Sequence, residues 1–117
     1  VSALAQAIAK AEGFGIPGAV PTRANNPGNL KLGAPTLERT GITVFKTPAE
    51  GWAALERQIK LILSGQSAHY NAGMTIAQMG AKWAPSGDNN ITGAWASNVA
   101  RALGVPTSAT IRSVVSA

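Results

Sequence analysis

Residues 3 to 15 read Ala3-Leu4-Ala5-Gln6-Ala7-Ile8-Ala9-Lys10-Ala11-Glu12-Gly13-Phe14-Gly15. The four-residue recurrence of Leu4, Ile8 and Glu12 places all three on one face of a helix formed by Val1 to Ala11, while Lys10 points away. That face should be buried, and a carboxylate has little structural reason to prolong it. Gly13 and Gly15 stop the helix at once, which leaves the Glu12 carboxyl beside unpaired carbonyls and the negative end of the helix dipole. Burial and dipole both disfavour the anion. Glu12 is therefore expected to have a raised pKa and to donate a proton to a leaving oxygen near neutral pH. The competing reading is a structural Glu satisfied by an ordinary hydrogen-bond network.

Downstream of this helix, Gly13 to Asn29 holds four Gly, three Pro and three Asn, which is loop chemistry. It is long for a structureless connection, and long loops in compact domains usually carry function. Leu30 to Leu32 and Ile42 to Phe45 are short β-prone runs separated by Gly33, Pro35 and Gly41, and predict a small hairpin. Thr47, Pro48, Ala49 and Glu50 spell a capping box with proline at the first helical position. The helix that follows has Trp52, Leu55, Ile59, Ile62 and Leu63 as its apolar stripe, and is expected to be the central core helix. Thr75 to Gln78 repeats the capping-box spacing and opens a short helix with Ile76, Met79 and Trp83 inward and Pro85 beyond its end. After a polar turn at Ser86 to Asn90, Ile91, Trp95, Val99 and Leu103 form another ladder, closed by Gly104 and Pro106. Thr107 to Val115 predicts a last short helix.

A length of 117 residues suits one domain spanning the chain, 1–117, with one core. Cysteine is absent and His69 is the lone histidine, so no disulfide, metal centre or cofactor is expected. No run is long and apolar enough for a spanning helix or a signal peptide, so membrane insertion is not expected. The start at Val1, without an initiator Met, suggests a processed or excised domain. Ten Lys and Arg against five Asp and Glu give a formal charge of +5, which attracts polyanions such as nucleic acid, anionic cell wall or acidic membrane. The basic residues are scattered without aromatic interleaving, which speaks for general attraction over nucleic-acid recognition.

The order of helix with terminal Glu, Asn/Gly/Pro loop, small hairpin and helix cluster resembles the lysozyme-like superfamily. Ala24-Asn25-Asn26-Pro27-Gly28-Asn29-Leu30 is similar to a segment of phage virion-associated and bacterial lysozyme-like domains, and Phe45 to Ala54 is similar to their strand-to-helix junction. Thr75-Ile76, Trp83-Ala84-Pro85, Asn89-Asn90 and Leu103-Gly104-Val105 follow in the same order, so the resemblance covers roughly residues 2 to 106. It implies an α+β, mainly α fold: a lysozyme-like helical domain in which a small β-hairpin forms one wall of the cleft. It further implies a monomeric glycosidase of the bacterial cell envelope, secreted or virion-associated. Such an enzyme, a muramidase or lytic transglycosylase, cleaves peptidoglycan glycan strands with Glu12 as the acid.

Cleavage of a glycosidic bond needs an acid on the departing oxygen as the sugar gains oxocarbenium character. Candidates for a second carboxylate are Glu38 in the hairpin loop and Asp88 in the polar turn, each of which also reads as a solvated loop acid. Glu50 is explained by its capping box, and Glu56 by a surface pair with Lys60. In lytic transglycosylases a single Glu serves as acid and then base, and the muramic C6 hydroxyl attacks in place of water. Asn25, Asn29 and Asn90 are candidate sugar contacts, equally well read as turn formers. Trp83 and Trp95 are candidates for a cleft edge, Trp52 belongs to the core, and Phe14 is a candidate apolar wall beside Glu12. Tyr70-Asn71-Ala72-Gly73 is similar to a tetrapeptide of soluble lytic transglycosylases, though the Gly-Leu-Met-Gln that precedes it there is missing. A helix-to-helix turn explains it equally well, with His69 exposed beside it. A catalytically silent cell-wall-binding or structural module of a phage tail or secretion apparatus is the alternative from another class, and a nucleic-acid-binding helical domain the third.

Overall fold

The computed structural model describes residues 2–84 and 93–115. Among them are six helices: α1 (Ala3–Glu12), α2 (Val20–Arg23), α3 (Pro48–Leu63), α4 (Ile76–Trp83), α5 (Ala94–Leu103) and α6 (Ile111–Val115). The expected polar turn at 86–90, with Pro85, Ile91, Asp88 and Asn90, lies outside the described residues.

The helix ends follow local chemistry. Ser2 caps α1 by accepting from the Ala5 N–H at 3.2 Å. At the other end Gly13 takes a left-handed conformation, φ 86°, and its N–H turns back to the last carbonyls of the helix. Thr47 accepts from Glu50 N at 3.2 Å, but the Glu50 carboxylate reaches Lys46 N, one residue before the cap. Thr75 and Gln78 close a complete reciprocal box at the start of α4. The last helix begins later than its spacing predicts. Residues 107–110 instead supply carbonyls to the free N–H groups of the first turn of α4, Thr107 O to Ala77 and Ala109 O to Ile76.

The core is formed by Leu4 and Ile8 of α1, Leu55, Ile59 and Ile62 of α3, Ile76 and Met79 of α4, Val99 of α5 and Ile111 of α6. The central helix is α1, which packs against α5, α3 and α6, and not α3 as its length suggested. Leu63, expected inside, is 39% exposed, whereas its neighbour Ile62 in the same last turn of α3 is buried in the core. Glu56 does not pair with Lys60. Its Oε1 accepts from the backbone N and the hydroxyl of Ser2, at 3.0 and 2.7 Å, and so pins the cap of α1 to α3.

The α+β fold class with a β-hairpin wall is overturned. Among the described residues there is no sheet or hairpin, only the isolated antiparallel bridges Thr36 to Thr43 and Thr75 to Thr110. The reason lies in the loop between the two β-prone runs. Thr43 N does donate to Leu30 O at 3.0 Å, but Leu32 N is taken by the Thr43 hydroxyl at 2.8 Å, which itself donates to Gly33 O. Val44 N then turns to Pro35 O at 2.8 Å. Side-chain bonds thus replace the next ladder rung and leave Leu32 52% exposed. The segment 24–45 is an irregular loop docked on the helices. Gly51 permits that docking, since a Cβ there would run into the Asn25 carbonyl oxygen. The supposedly structureless stretch before it also contains α2, which starts with proline in its first turn.

Candidate active site

Glu12 ends α1 at the seam between the helices and this loop. Its carboxyl is half-buried and accepts from two sides: Trp95 Nε1 of α5 donates to Oε2 at 3.0 Å, and Asn29 Nδ2 of the loop lies 3.5 Å from Oε1. Burial, which strips water from the anion, pushes its pKa up from 4.5 to about 7 against the opposing pull of the Trp95 and Asn29 hydrogen bonds and of the nearby Trp83 indole. No charged group among the described residues is part of these influences.

The aromatic wall depends on a close helix crossing. Gly80 lies where a Cβ would come within 3.0 Å of the Trp95 ring and 3.1 Å of Ala96 Cβ, so glycine lets α4 approach α5. One turn later Trp83 stacks on Trp95, with ring centroids 5.9 Å apart and planes inclined by 25°. Its indole N–H donates to Gly28 O at 3.0 Å and ties α4 to the loop. Tyr70 continues the array, 5.7 Å from Trp83, and burial raises its phenol pKa above the ordinary 10. Trp95 is buried, whereas Trp83 is half-buried and is the one of the pair with surface to offer a ligand.

The loop wall is held by a residue the sequence did not single out. Asn26 is fully buried, donates through Nδ2 to Leu30 O at 3.0 Å and Thr43 O at 2.8 Å, and accepts from Leu30 N at 2.9 Å. It replaces the missing strand ladder and fixes the turn that delivers Asn29, whose backbone sits at φ 54°. The available signal was the Asn-Asn-Pro-Gly-Asn run, which marks a turn but not which of its three amides is buried.

The candidate residues separate into groups. Glu12, Asn29, Trp83 and Trp95 come together. Asn25 sits at φ 52° and its Nδ2 donates to Phe45 O at 3.0 Å, which is a loop-holding role. Phe14 packs edge-on against Trp52 at 5.4 Å and lines a groove of about 480 Å³ with Gln6, Lys10 and Ile16, the face of α1 turned away from Glu12. Glu38 is exposed in the turn between Leu37 and Ile42, and Asp88 and Asn90 are outside the described residues. His69 is exposed, and Asn71 Oδ1 accepts from Gly73 N at 3.0 Å, so the Tyr70 to Gly73 tetrapeptide forms a turn.

Among the described residues no helix is long and apolar enough to cross a membrane, and no cluster of His, Cys, Asp and Glu suits a metal ion. Comparison with models of protein families, with curated proteins and with solved structures finds no match.

Proposed function

We propose that this chain cleaves the β-1,4 bond between N-acetylmuramic acid and N-acetylglucosamine in peptidoglycan, with Glu12 as general acid. The observation that carries the reading is a half-buried carboxyl with its pKa near 7, hydrogen-bonded among the described residues to the neutral donors Trp95 and Asn29 at the seam of two structural regions. Such a group holds a proton at neutral pH and can release it. The order of motifs from the Asn-rich loop to Leu103-Gly104-Val105, similar to that of lysozyme-like domains, supplies the substrate class.

In the bond-breaking step the Glu12 proton passes to the glycosidic oxygen and the C1–O electron pair leaves with that oxygen. A second carboxylate close by would raise the Glu12 pKa by like-charge repulsion, and no described residue does so. The single-acid route needs no second carboxylate. The ionised Glu12 then takes the proton of the muramic C6 hydroxyl as that oxygen attacks C1, which restores the acid and closes a 1,6-anhydro ring. Mass spectrometry of products released from purified peptidoglycan tests the reading. The wild type is expected to release 1,6-anhydro muropeptides, and Glu12→Gln to lose at least about a hundredfold of that activity while remaining folded. Reducing muropeptides would instead mark attack by water, with Asp88 as the carboxylate to examine. No release by the folded wild type would overturn the enzyme reading and leave a cell-wall-binding or structural module.

A further inference from the structure

Asn29 carries an unexplained polar atom at the heart of this site. Its Oδ1 is buried and accepts no hydrogen bond from any described residue, although an unpaired buried oxygen costs on the order of 1–3 kcal/mol. Its Nδ2, meanwhile, makes only a long contact of 3.5 Å to Glu12 Oε1. The side chain is held there by the turn in which Asn29 N donates to Asn26 O at 3.0 Å.

The two oxygens of Glu12 are not equivalent. Oε2 accepts from the Trp95 indole, a group that donates and cannot accept, so a carboxyl proton has no partner on that side. Oε1 faces a carboxamide, whose two ends have nearly the same shape and opposite hydrogen-bonding character. Rotation of the Asn29 amide turns Oδ1 toward Glu12 Oε1, and the unpaired oxygen then becomes the acceptor of the Glu12 O–H.

We propose that Asn29 is a positioning residue that directs the proton of Glu12 to Oε1, accepting it through Oδ1 in the acid form and donating through Nδ2 to the carboxylate. Its part in catalysis rests on the reading of Glu12 as general acid, whereas the exchange of amide orientation is a property of the resting protein. During turnover the O–H swings from Asn29 to the departing glycosidic oxygen, and the amide then steadies the carboxylate until it is reprotonated. Among the described residues the groups bearing on Glu12 are Trp95 on α5, Trp83 on α4 and Asn29 from the loop, all uncharged. Lys10, on the same helix, is exposed on the groove side. With the Glu12 pKa near 7, the exchange falls in an accessible pH range.

The test is a pH titration of the full chain followed by the side-chain amide signals of Asn29 and the carboxyl carbon of Glu12 in nuclear magnetic resonance. Loss of the amide signals in Asn29→Gly assigns them, and glycine tolerates the left-handed backbone at this position. The Asn29 amide is expected to titrate with the same midpoint as Glu12, and to be flat in Glu12→Gln. Asn29→Gly is expected to lower kcat about tenfold or more with KM within about twofold, as loss of proton alignment and not of binding. Asn29→Asp keeps the backbone and is expected to raise the Glu12 midpoint, because two carboxyls then share one proton. An Asn29 amide that stays flat while Glu12 titrates would overturn the proposal, as would a Glu12 midpoint near the ordinary carboxylate value or a raised KM at unchanged kcat. A titrating amide in a protein that cleaves no glycan would uphold the proton placement and refute the proposed function, so the two failures are distinguishable.

Discussion

The two walls that meet at Glu12 are held by different forces. On one side α1, α4 and α5 are joined by apolar burial: Leu4, Ile8, Met79 and Val99 are sealed from solvent, and Trp95 is fixed among them. On the other side the loop 24–45 has Asn26 and Thr43 among its buried residues, and side-chain hydrogen bonds stand where a ladder was expected. Apolar packing is non-directional and tolerates conservative changes of shape, whereas a buried amide with three partners has no substitute that keeps all of them. The helical wall therefore gives the carboxyl a rigid, dry neighbour. The loop wall gives it a directional polar one.

Substitutions on each side put this contrast at risk. Asn26→Ala should be the most damaging, with a stability loss of about 4 kcal/mol, because it strands two carbonyls and one N–H in the interior. Chemical denaturation measures it, and a loss below about 1 kcal/mol would mean that the loop is not organised by hydrogen bonds. Glu12→Gln should act at the seam and depend on pH. The folded state holds the Glu12 proton more tightly than the unfolded chain, so the contribution of Glu12 to stability is fully present below about pH 4.5 and is lost as pH rises through 7. Relative to Glu12→Gln, the wild type should lose up to about 3 kcal/mol between pH 4 and pH 8, and parallel stability curves would show that the carboxyl is not desolvated.

Trp95→Phe keeps most of the ring and removes the donor to Glu12 Oε2. It should cost roughly 1–2 kcal/mol and raise the Glu12 titration midpoint by about one pH unit, since the lost bond favours the anion. An unchanged midpoint would place the indole outside the carboxyl's influence. Thr75→Ala affects only the helical side, opening the capping box of α4 at a cost of about 1 kcal/mol. Its Glu12 titration should match the wild type, and a shifted midpoint would show that the aromatic wall yields when α4 loosens.

The helical wall was largely legible because its information is local. The spacing of Leu4, Ile8 and Glu12, the Gly13 stop, and the caps at Thr47 and Thr75 follow from neighbours within one or two turns. The loop was misread for the opposite reason. The β propensity of Leu30–Leu32 and Ile42–Phe45 is weak, and it yields when Thr43 and Asn26 offer their own hydrogen bonds across intervals of 11 and 17 residues. Trp95 read as a cleft edge from its place near a helix end, but its indole partner lies 83 positions away.

By itself the chain determined that Glu12 ends an amphipathic helix on its apolar side, since periodicity and a glycine stop are written in consecutive residues. Only the tertiary structure decided what that carboxyl meets: Trp95, brought near by the glycine crossing of α4 and α5, and Asn29, presented by a loop that Asn26 holds together. Hydrogen bonds and desolvation depend on distances between segments remote in sequence, so the raised pKa of Glu12 follows from the assembled seam and not from any single stretch of chain.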